Sequence, residues 1–289
     1  MNVIEVKNLC KKYKQGSQFE LKNLNLGVKK GYITGIIGNN GAGKTTLIKL
    51  ILNMLYANSG TIRVLGKENL HSLDDQNEEI GFVMDKMFFP EQLQIKELNK
   101  ILQKMYKKWD TKLFFSYMEK FQLPIDSKVQ QLSTGMKKKL EIAIALSHRP
   151  KLLILDEPTS GLDPVVRNEI LDILLDYMQD EEHTILLSTH ITSDLDKIAD
   201  EIILLNNGNI VLQDSLETIK EQYGIWKGTK EELDQMDRNY IVAKRERQYF
   251  CEVLIKDKNS LLGKNSSIEV DSINLEQFML FMVKEELRC

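Results

Sequence analysis

Apolar residues along the chain follow strand patterns in its first and last parts and a helical pattern between them. Residues 19–22 and 24–28 alternate between apolar and polar side chains, which predicts two half-buried strands. Mostly apolar runs at 32–37, 152–155 and 184–188 predict fully buried strands. Runs of this kind are typical of a parallel sheet that is covered on both faces. The pattern therefore predicts an α/β fold.

Several shorter segments complete the predicted strands. They lie at 3–6, 60–66, 80–84, 201–205 and 209–213. The last two flank Asn206, Asn207 and Gly208, and an Asn-Gly pair between apolar runs predicts a β-hairpin.

Helical spacing replaces the strand pattern from residue 86 to about residue 150. Apolar residues recur at intervals of three and four along 95–110, and residues 113–121 continue in the same way. We therefore predict a mainly helical insert at 86–150. A second helical segment is predicted at 274–286, with Asn274 as its cap and Gln277 three residues later. This last helix is apolar around much of its girth, so we expect it to dock against another surface.

The strand at 32–37 leads into a phosphate-binding loop. Residues 38–46 fit the template G-x-x-x-x-G-K-[ST], and residues 47–55 suit the helix that this motif requires after it. Glycines let backbone N–H groups turn inward around an anion, and a helix N-terminus adds partial positive charge. The predicted nucleotide-binding residues of this loop are Asn39, Asn40, Gly41, Ala42, Gly43, Lys44, Thr45 and Thr46. Lys44 is expected to reach the β- and γ-phosphates, and the Thr45 hydroxyl to ligate Mg²⁺.

Three further residues follow predicted buried strands and carry the chemistry of the expected site. Asp156 and Glu157 end the strand at 152–155, and two adjacent carboxylates there are costly without a cation partner. We expect Asp156 to hold Mg²⁺ and Glu157 to polarise a water that attacks the γ-phosphate. His190 follows the strand at 184–188, where a neutral imidazole suits a hydrogen bond to the γ-phosphate or to that water. A lone histidine without this setting would more often be structural.

Composition narrows the classes of function. A net charge of -3 over 289 residues lacks the basic field that nucleic-acid binding needs, so no nucleic-acid partner is expected. The three cysteines are far apart and predict neither a disulfide framework nor a zinc site. The N-terminus lacks the layout of a signal peptide, and no run of about 18 apolar residues predicts a membrane span. The basic run at 244–247 is predicted to be a solvated face, with lipid or nucleic-acid contact the weaker reading.

The order of these motifs resembles the ATP-binding subunit of ABC transporters. The segments that carry the resemblance are 38–46, 132–136, 152–157, 160–163 and His190. It covers roughly residues 1–220, and its most specific feature is a Ser-x-Gly signature between the phosphate loop and the Asp-Glu strand. It implies a P-loop NTPase of the ABC type with an antiparallel β subdomain, the helical insert at about 86–150 and a small C-terminal α+β extension at 221–289.

The resemblance also implies roles for residues that the motifs alone leave open. Tyr13 matches the aromatic that stacks on adenine, although a surface tyrosine packed on its own strand is the plainer reading. Ser133 and Gly135 match a signature loop that contacts the γ-phosphate held by a second subunit. Glu157 matches the catalytic carboxylate and His190 the switch histidine. The implied assembly is a homodimer or a heterodimer with a second ABC ATPase, and the implied cofactors are ATP and Mg²⁺.

The sequence departs from the family pattern at two sites. Thr134 and Met136 replace a glycine and a glutamine of the signature, so the contact of the usual amide is lost while Ser133 and Gly135 remain. Asp85 stands where the strand at 80–84 usually leads into a glutamine. Its carboxylate still offers oxygen to Mg²⁺, which makes Asp85 a predicted metal ligand beside Thr45 and Asp156. We expect hydrolysis to be retained, at a slower rate.

The expected function is therefore ATP binding and hydrolysis that powers a separate membrane permease. Export of a drug, peptide or lipid-like substrate is favoured by the tail of about 70 residues, which resembles bacterial export-type (ABC-2-like) ATPases. An importer ATPase and a soluble non-transport ABC ATPase are the alternatives. The expected location is the cytoplasmic face of the cell membrane, through the permease. An apolar patch of Met84, Met87, Phe88 and Phe89 suits a groove for a short helix of that permease, and equally suits core packing.

Overall fold

A computed structural model describes residues 1–13, 19–68, 78–85, 90–264 and 268–283. The strands in this part of the chain are β1 (Asn2–Lys12), β2 (Glu20–Lys29), β3 (Ile33–Ile37), β4 (Ser59–Val64), β5 (Lys67–Glu68), β6 (Ile80–Val83), β7 (Leu152–Asp156), β8 (Thr184–Ser188), β9 (Glu201–Asn206), β10 (Asn209–Ser215), β11 (Gly224–Gly228), β12 (Ile241–Glu246), β13 (Cys251–Ile255) and β14 (Val270–Asp271). The α-helices are α1 (Lys44–Ile51), α2 (Ile95–Met105), α3 (Thr111–Lys120), α4 (Thr134–Leu146), α5 (Pro164–Tyr177), α6 (Thr192–Ile198), α7 (Leu216–Gln222), α8 (Lys230–Asp234), α9 (Lys258–Lys264) and α10 (Leu275–Val283). Short 3₁₀ helices lie at Val129–Gln131 and Arg238–Tyr240.

A six-stranded sheet in the order β10-β9-β3-β8-β7-β6 forms the centre of the fold. All its neighbouring strands are parallel except β9 and β10, which form the hairpin predicted around Asn206 and Gly208. Strands β3, β7 and β8 are buried along their whole length, as their apolar runs predict. Because parallel strands end at the same edge of a sheet, the segments after β3, β6, β7 and β8 meet at one edge.

A second, antiparallel sheet in the order β2-β1-β4-β5 lies beside the first in the chain's N-terminal part. The two strands predicted at 19–22 and 24–28 are one strand, β2. Its pairing with β1 is continuous but shifts register, and Asn23 adopts a positive φ of 48° where the strand is irregular. The polar pair at residues 22 and 23 suggested a break, whereas the structure accommodates it as a bulge.

The predicted insert is helical, with α2, α3 and α4 packed around Phe114, Met118 and Leu140. Of the apolar patch before Pro90, Met84 is buried at the end of β6, whereas Met87, Phe88 and Phe89 lie outside the described residues. The α/β fold with a helical insert is thus confirmed.

The chain after residue 223 builds a third sheet, in the order β12-β13-β11-β14. Gly263 belongs to α9, and residues 265–267 lie outside the described part. The basic run is ion-paired rather than free: Arg245 and Arg247 both approach Glu252. This arrangement agrees with a solvated polar face.

Helix α10 docks against its own chain. Phe278 is fully buried and Phe281 nearly so, in the same core cluster as Leu195 of α6. The backbone N–H of Leu275 donates to Asp196 of α6 at 3.2 Å. The expectation that this apolar helix needs a partner surface is therefore confirmed. In the described residues no helix is both long and apolar enough to span a bilayer.

The predicted cap of α10 is present in both directions. The Asn274 side chain accepts from the Gln277 N–H at 2.8 Å, and the Gln277 side chain accepts from the Asn274 N–H at 3.3 Å. We expect Asn274→Ala to weaken the docking of α10 by about 1 kcal/mol, because one N-terminal N–H loses its acceptor. Amide hydrogen exchange in α10 should then be roughly fivefold faster. Asn274→Ser keeps an acceptor and should exchange like the wild type; equal rates in all three proteins would contradict the cap's role.

Candidate functional site

The carboxyl edge of the central sheet holds a cavity of about 540 Å³. Its wall combines the phosphate-loop segment with residues that follow three other strands. The lining residues are Phe19, Asn39, Asn40, Gly41, Gly43, Lys44, Thr45, Thr46, Asp85, Glu157, Ser160 and His190. The structure thus brings together residues that are as much as 171 positions apart, since Phe19 and His190 share one wall.

Two glycines of the phosphate loop are required by the geometry. Gly43 has a φ of 113°, and a Cβ there would lie 2.6 Å from the Leu21 side chain and 2.7 Å from Phe19. A Cβ on Gly38 would lie 2.2 Å from the carbonyl oxygen of Leu205. Only glycine avoids both conflicts, so the loop can run close to β2 and β9 while α1 begins at Lys44.

Lys44 is buried at the start of α1 and points back across the loop. Its Nζ donates to the Gly38 carbonyl at 2.8 Å and lies 3.8 Å from Glu157 Oε1. Burial lowers the pKa of Lys44, and the nearby carboxylates of Glu157 and Asp156 counteract that shift. The site therefore presents a poorly solvated cation at the base of an anion-binding loop.

Glu157 and His190 form a direct pair at the cavity. Glu157 Oε2 lies 2.7 Å from His190 Nδ1, and the same oxygen accepts from the His190 N–H at 3.3 Å. Glu157 has a φ of 51°, an uncommon conformation for a side chain other than glycine or asparagine. This backbone turns Glu157 away from the strand direction of Asp156, so the two adjacent carboxylates face different surroundings.

Asp156 lies deeper than the cavity wall and is fully buried. Its Oδ1 accepts from the Ser188 hydroxyl, whereas its Oδ2 is buried and meets no hydrogen-bond partner within the described residues. An unpartnered buried carboxylate oxygen is costly, so it suits an incoming water or cation. No cluster of three His, Cys, Asp or Glu able to hold a metal occurs in the described chain. Mg²⁺ would accordingly depend on few protein ligands, Thr45 and Asp85 on the cavity wall and Asp156 behind it, together with waters and phosphate oxygens, which fits its preference.

Four predicted nucleotide-binding residues lie outside the cavity wall. Ala42 is buried behind the loop. Tyr13 is partly exposed, and its hydroxyl lies 3.2 Å from Thr46 Oγ1, so it reaches the start of α1 without lining the cavity. Ser133 caps α4 by accepting from the Met136 N–H at 3.3 Å, and a Cβ on Gly135 would lie 3.4 Å from the Val166 side chain. Ser133 is exposed.

Phe19 and Ser160 line the cavity but were not predicted as site residues. Phe19 packs over Gly43 at the entrance, where the sequence pattern indicated only a strand residue. Ser160 follows the Asp-Glu pair in a turn; its nearness to Glu157 and its place in the segment 160–163, which belongs to the motif order, were the signals available. Met136 packs partly against the hydrophobic core, so the residue that replaces the usual glutamine has a structural contact of its own.

A second cavity, an apolar groove of about 490 Å³, opens between β6, α2 and α4. Phe82, Ile101 and Met105 are exposed on its walls, at 38%, 42% and 66%. Its polar members are Glu141 and His148. Burial raises the pKa of Glu141, and Lys138 pairs with it at 3.0 Å. An exposed apolar groove of this kind marks a surface for binding another protein.

Comparison with known proteins gives a consistent result. Residues 21–160 match the family described as ABC transporter. The chain is 34% identical over 222 residues to the ABC transporter ATP-binding protein YtrB of Bacillus subtilis (strain 168), a match that covers 76% of this chain and 75% of that protein. It is 36% identical over 214 residues to the bacitracin transport ATP-binding protein BcrA of Enterococcus faecalis, covering 72% and 68%. It is 34% identical over 247 residues to the lantibiotic transport ATP-binding protein SrtF of Streptococcus pyogenes, covering 85% and 100%.

Solved structures give the same picture. An ATP-binding subunit of an ABC transporter superposes with a TM-score of 0.69 at 27% identity, covering 75% of this chain and 92% of that one. A dimeric ATP-binding cassette in a post-hydrolysis state, bound to ADP and Pi, superposes with a TM-score of 0.67 at 25% identity, covering 74% and 98%.

Proposed function

The chain belongs to the ATP-binding proteins of ABC transporters, and from this membership we propose that it powers the export of a drug-like, peptide-like or lipid-like substrate through a separate permease. Its activity is ATP hydrolysis by a transporter subunit. Relatives named for bacitracin transport and lantibiotic transport support the proposed class of substrate. The observation that carries the proposal is the convergence of Lys44, Glu157 and His190 on one cavity.

The roles within the site follow from their positions. Lys44 and the loop N–H groups hold the β- and γ-phosphates, since the cation and the start of α1 face the same cavity. Glu157 accepts a proton from the attacking water, and His190 holds the Glu157 carboxylate in place through the contact at 2.7 Å. We propose that Tyr13, whose hydroxyl lies 3.2 Å from Thr46 Oγ1, stacks on the adenine base. Mg²⁺, held by Thr45, Asp85 and Asp156, would neutralise charge that develops on the phosphates.

Two copies complete the site. Ser133 and Gly135 lie at the N-terminus of α4, away from the cavity that contains Lys44. We propose that they contact the γ-phosphate bound to a second ABC ATPase subunit, either another copy of this chain or a related one. The similarity to a dimeric cassette supports this arrangement. ATP then stabilises the closed dimer, and hydrolysis removes the phosphate that bridges its halves.

The apolar groove is the proposed contact with the permease. It is lined by flexible methionine side chains, Met54 and Met105 among them, and such surfaces adapt to a short partner helix. This contact would hold the protein at the cytoplasmic face of the cell membrane. We further propose that residues 1–220 are the ATPase domain, with 86–150 as its helical subdomain, and that residues 221–289 are an accessory extension.

A charge placed in the groove tests this proposal. Met105→Glu is expected to reduce the permease that co-purifies from membranes at least about tenfold, because an unpaired carboxylate would be buried against the partner. The ATPase activity of the isolated chain should stay within about twofold of the wild type. Leu175→Glu is the matched control, since Leu175 is exposed at 39% on α5 and lies outside the groove. Equal recovery of permease with both variants would contradict the assignment of the groove.

A further inference from the structure

A buried hydrogen-bond network lies behind the Glu157–His190 pair. Asp194 of α6 is 1% exposed, and both of its carboxylate oxygens are engaged. Oδ2 accepts from the Thr159 hydroxyl at 2.6 Å, and Oδ1 accepts from Arg167 Nε of α5. The same guanidinium donates through Nη2 to Ser193 at 2.5 Å. The Asp194 carboxylate thus links α5, α6 and the turn after β7 by hydrogen bonds.

The network joins the two chain segments that carry the pair. Thr159 lies two residues after Glu157 and next to Ser160, which lines the cavity. Asp194 lies four residues after His190. The segments follow neighbouring strands, β7 and β8, whose backbone pairing ends at Asp156 and Ser188. Beyond that point the ladder of backbone hydrogen bonds no longer fixes the distance between the two segments. The Thr159–Asp194 bond provides that spacing where the ladder no longer does.

We propose that Asp194 is a positioning residue for hydrolysis, which holds Glu157 and His190 in register through Thr159. This inference rests on the proposed roles of Glu157 and His190. Asp194 touches neither of them and lies outside the cavity wall, so it acts only through the chain. The Arg167 guanidinium pairs with this buried carboxylate, so the network contains both members of an ion pair.

Strain at Glu157 explains why such a restraint is needed. Its φ of 51° is a sparsely populated conformation that persists only where the surroundings enforce it. The Glu157 N–H donates to the Ser188 carbonyl at 2.9 Å on one side of the residue, and Thr159 is anchored on the other. A hydrogen bond to an ionised acceptor in a buried setting is among the stronger restraints that a protein can supply. Loss of the Thr159–Asp194 bond should make the turn after β7 more mobile, so that the Glu157 carboxylate occupies a wider range of positions.

Two substitutions of Thr159 separate positioning from packing. Thr159→Val keeps the volume and loses the donor, whereas Thr159→Ser keeps the donor and loses a methyl group. We expect Thr159→Val to lower kcat for MgATP about tenfold with KM within about twofold, since ordering of the general base affects the chemical step and not ground-state binding. Thr159→Ser is expected to keep kcat within about twofold of the wild type. A role in packing alone would affect the serine variant at least as strongly, because only that variant leaves a cavity.

The outcome is read together with Glu157→Gln measured in parallel. If Glu157→Gln hydrolyses ATP like the wild type, the proposed role of Glu157 fails and the positioning role with it. If Glu157→Gln is inactive while Thr159→Val keeps a kcat within twofold of the wild type, only the positioning role fails. An equal fall of kcat in Thr159→Ser and Thr159→Val would also overturn it, because the bond would then not be the cause.

Discussion

Glu157→Gln is expected to lower kcat for ATP hydrolysis by about 10²- to 10⁴-fold, the range contributed by a positioned general base. The carboxylate lies at the cavity beside His190, and the amide of glutamine keeps its shape but accepts no proton at neutral pH. Lys44 loses only a partner at 3.8 Å, so ATP binding should persist. The measurements are phosphate release and ATP affinity on the same preparation.

The same variant tests the shared site. If ATP binds without being hydrolysed, the γ-phosphate keeps bridging Lys44 of one subunit and Ser133 of the other. Glu157→Gln should therefore accumulate as a dimer in MgATP, whereas the wild type should not, as judged by light scattering. Glu169→Gln is the matched control, because Glu169 lies on α5, pairs with Lys139 and does not line the cavity. A Glu157→Gln protein that remained monomeric in MgATP would count against the two-subunit site.

The parts of this site that sequence reasoning predicted are those fixed by local chemistry. The phosphate loop and the Asp156–Glu157 pair each occupy a few consecutive residues. A buried parallel strand is visible in the sequence as an apolar run. Strands β3, β7 and β8 therefore needed no long-range information. Their shared edge then followed from topology, because the ends of parallel strands coincide.

The missed parts depend on contacts between distant segments. Phe19 became a cavity residue only because β2 brings it over Gly43. The Thr159–Asp194 bond joins residues 35 positions apart, and nothing in either local sequence indicates the other. The C-terminal extension was predicted to be α+β, but its individual strands were not predicted, for a similar reason: β11 lies between β13 and β14, and its pairing creates a burial pattern that its composition does not show. Tertiary pairing decides the conformation of such short segments more than intrinsic preference does.

Lys44→Ala is expected to abolish ATP binding while leaving the nucleotide-free protein folded. Lys44 is 7% exposed, and burial lowers its pKa in the folded state. The protonated amine therefore carries a burial penalty that folding must overcome. This penalty is relieved as pH rises through the folded pKa, so below that pKa the charge is not a source of stability. Its removal should shift the melting temperature of the nucleotide-free protein by no more than about 2 °C.

The effect on ligand-induced stability should be large by contrast. A wild type at an ATP concentration of 100 times its Kd gains about 2.7 kcal/mol, and a variant that no longer binds ATP gains nothing; even a Kd raised only about 100-fold would leave a gain of about 0.4 kcal/mol. Lys49→Ala is the matched control, since it removes the same charge from α1 at a residue that does not line the cavity. It should keep the full ATP-induced rise in melting temperature. A Lys44→Ala protein that showed the same rise would mean that the loop holds phosphate through its N–H groups alone, and that the lysine at its base serves a different purpose.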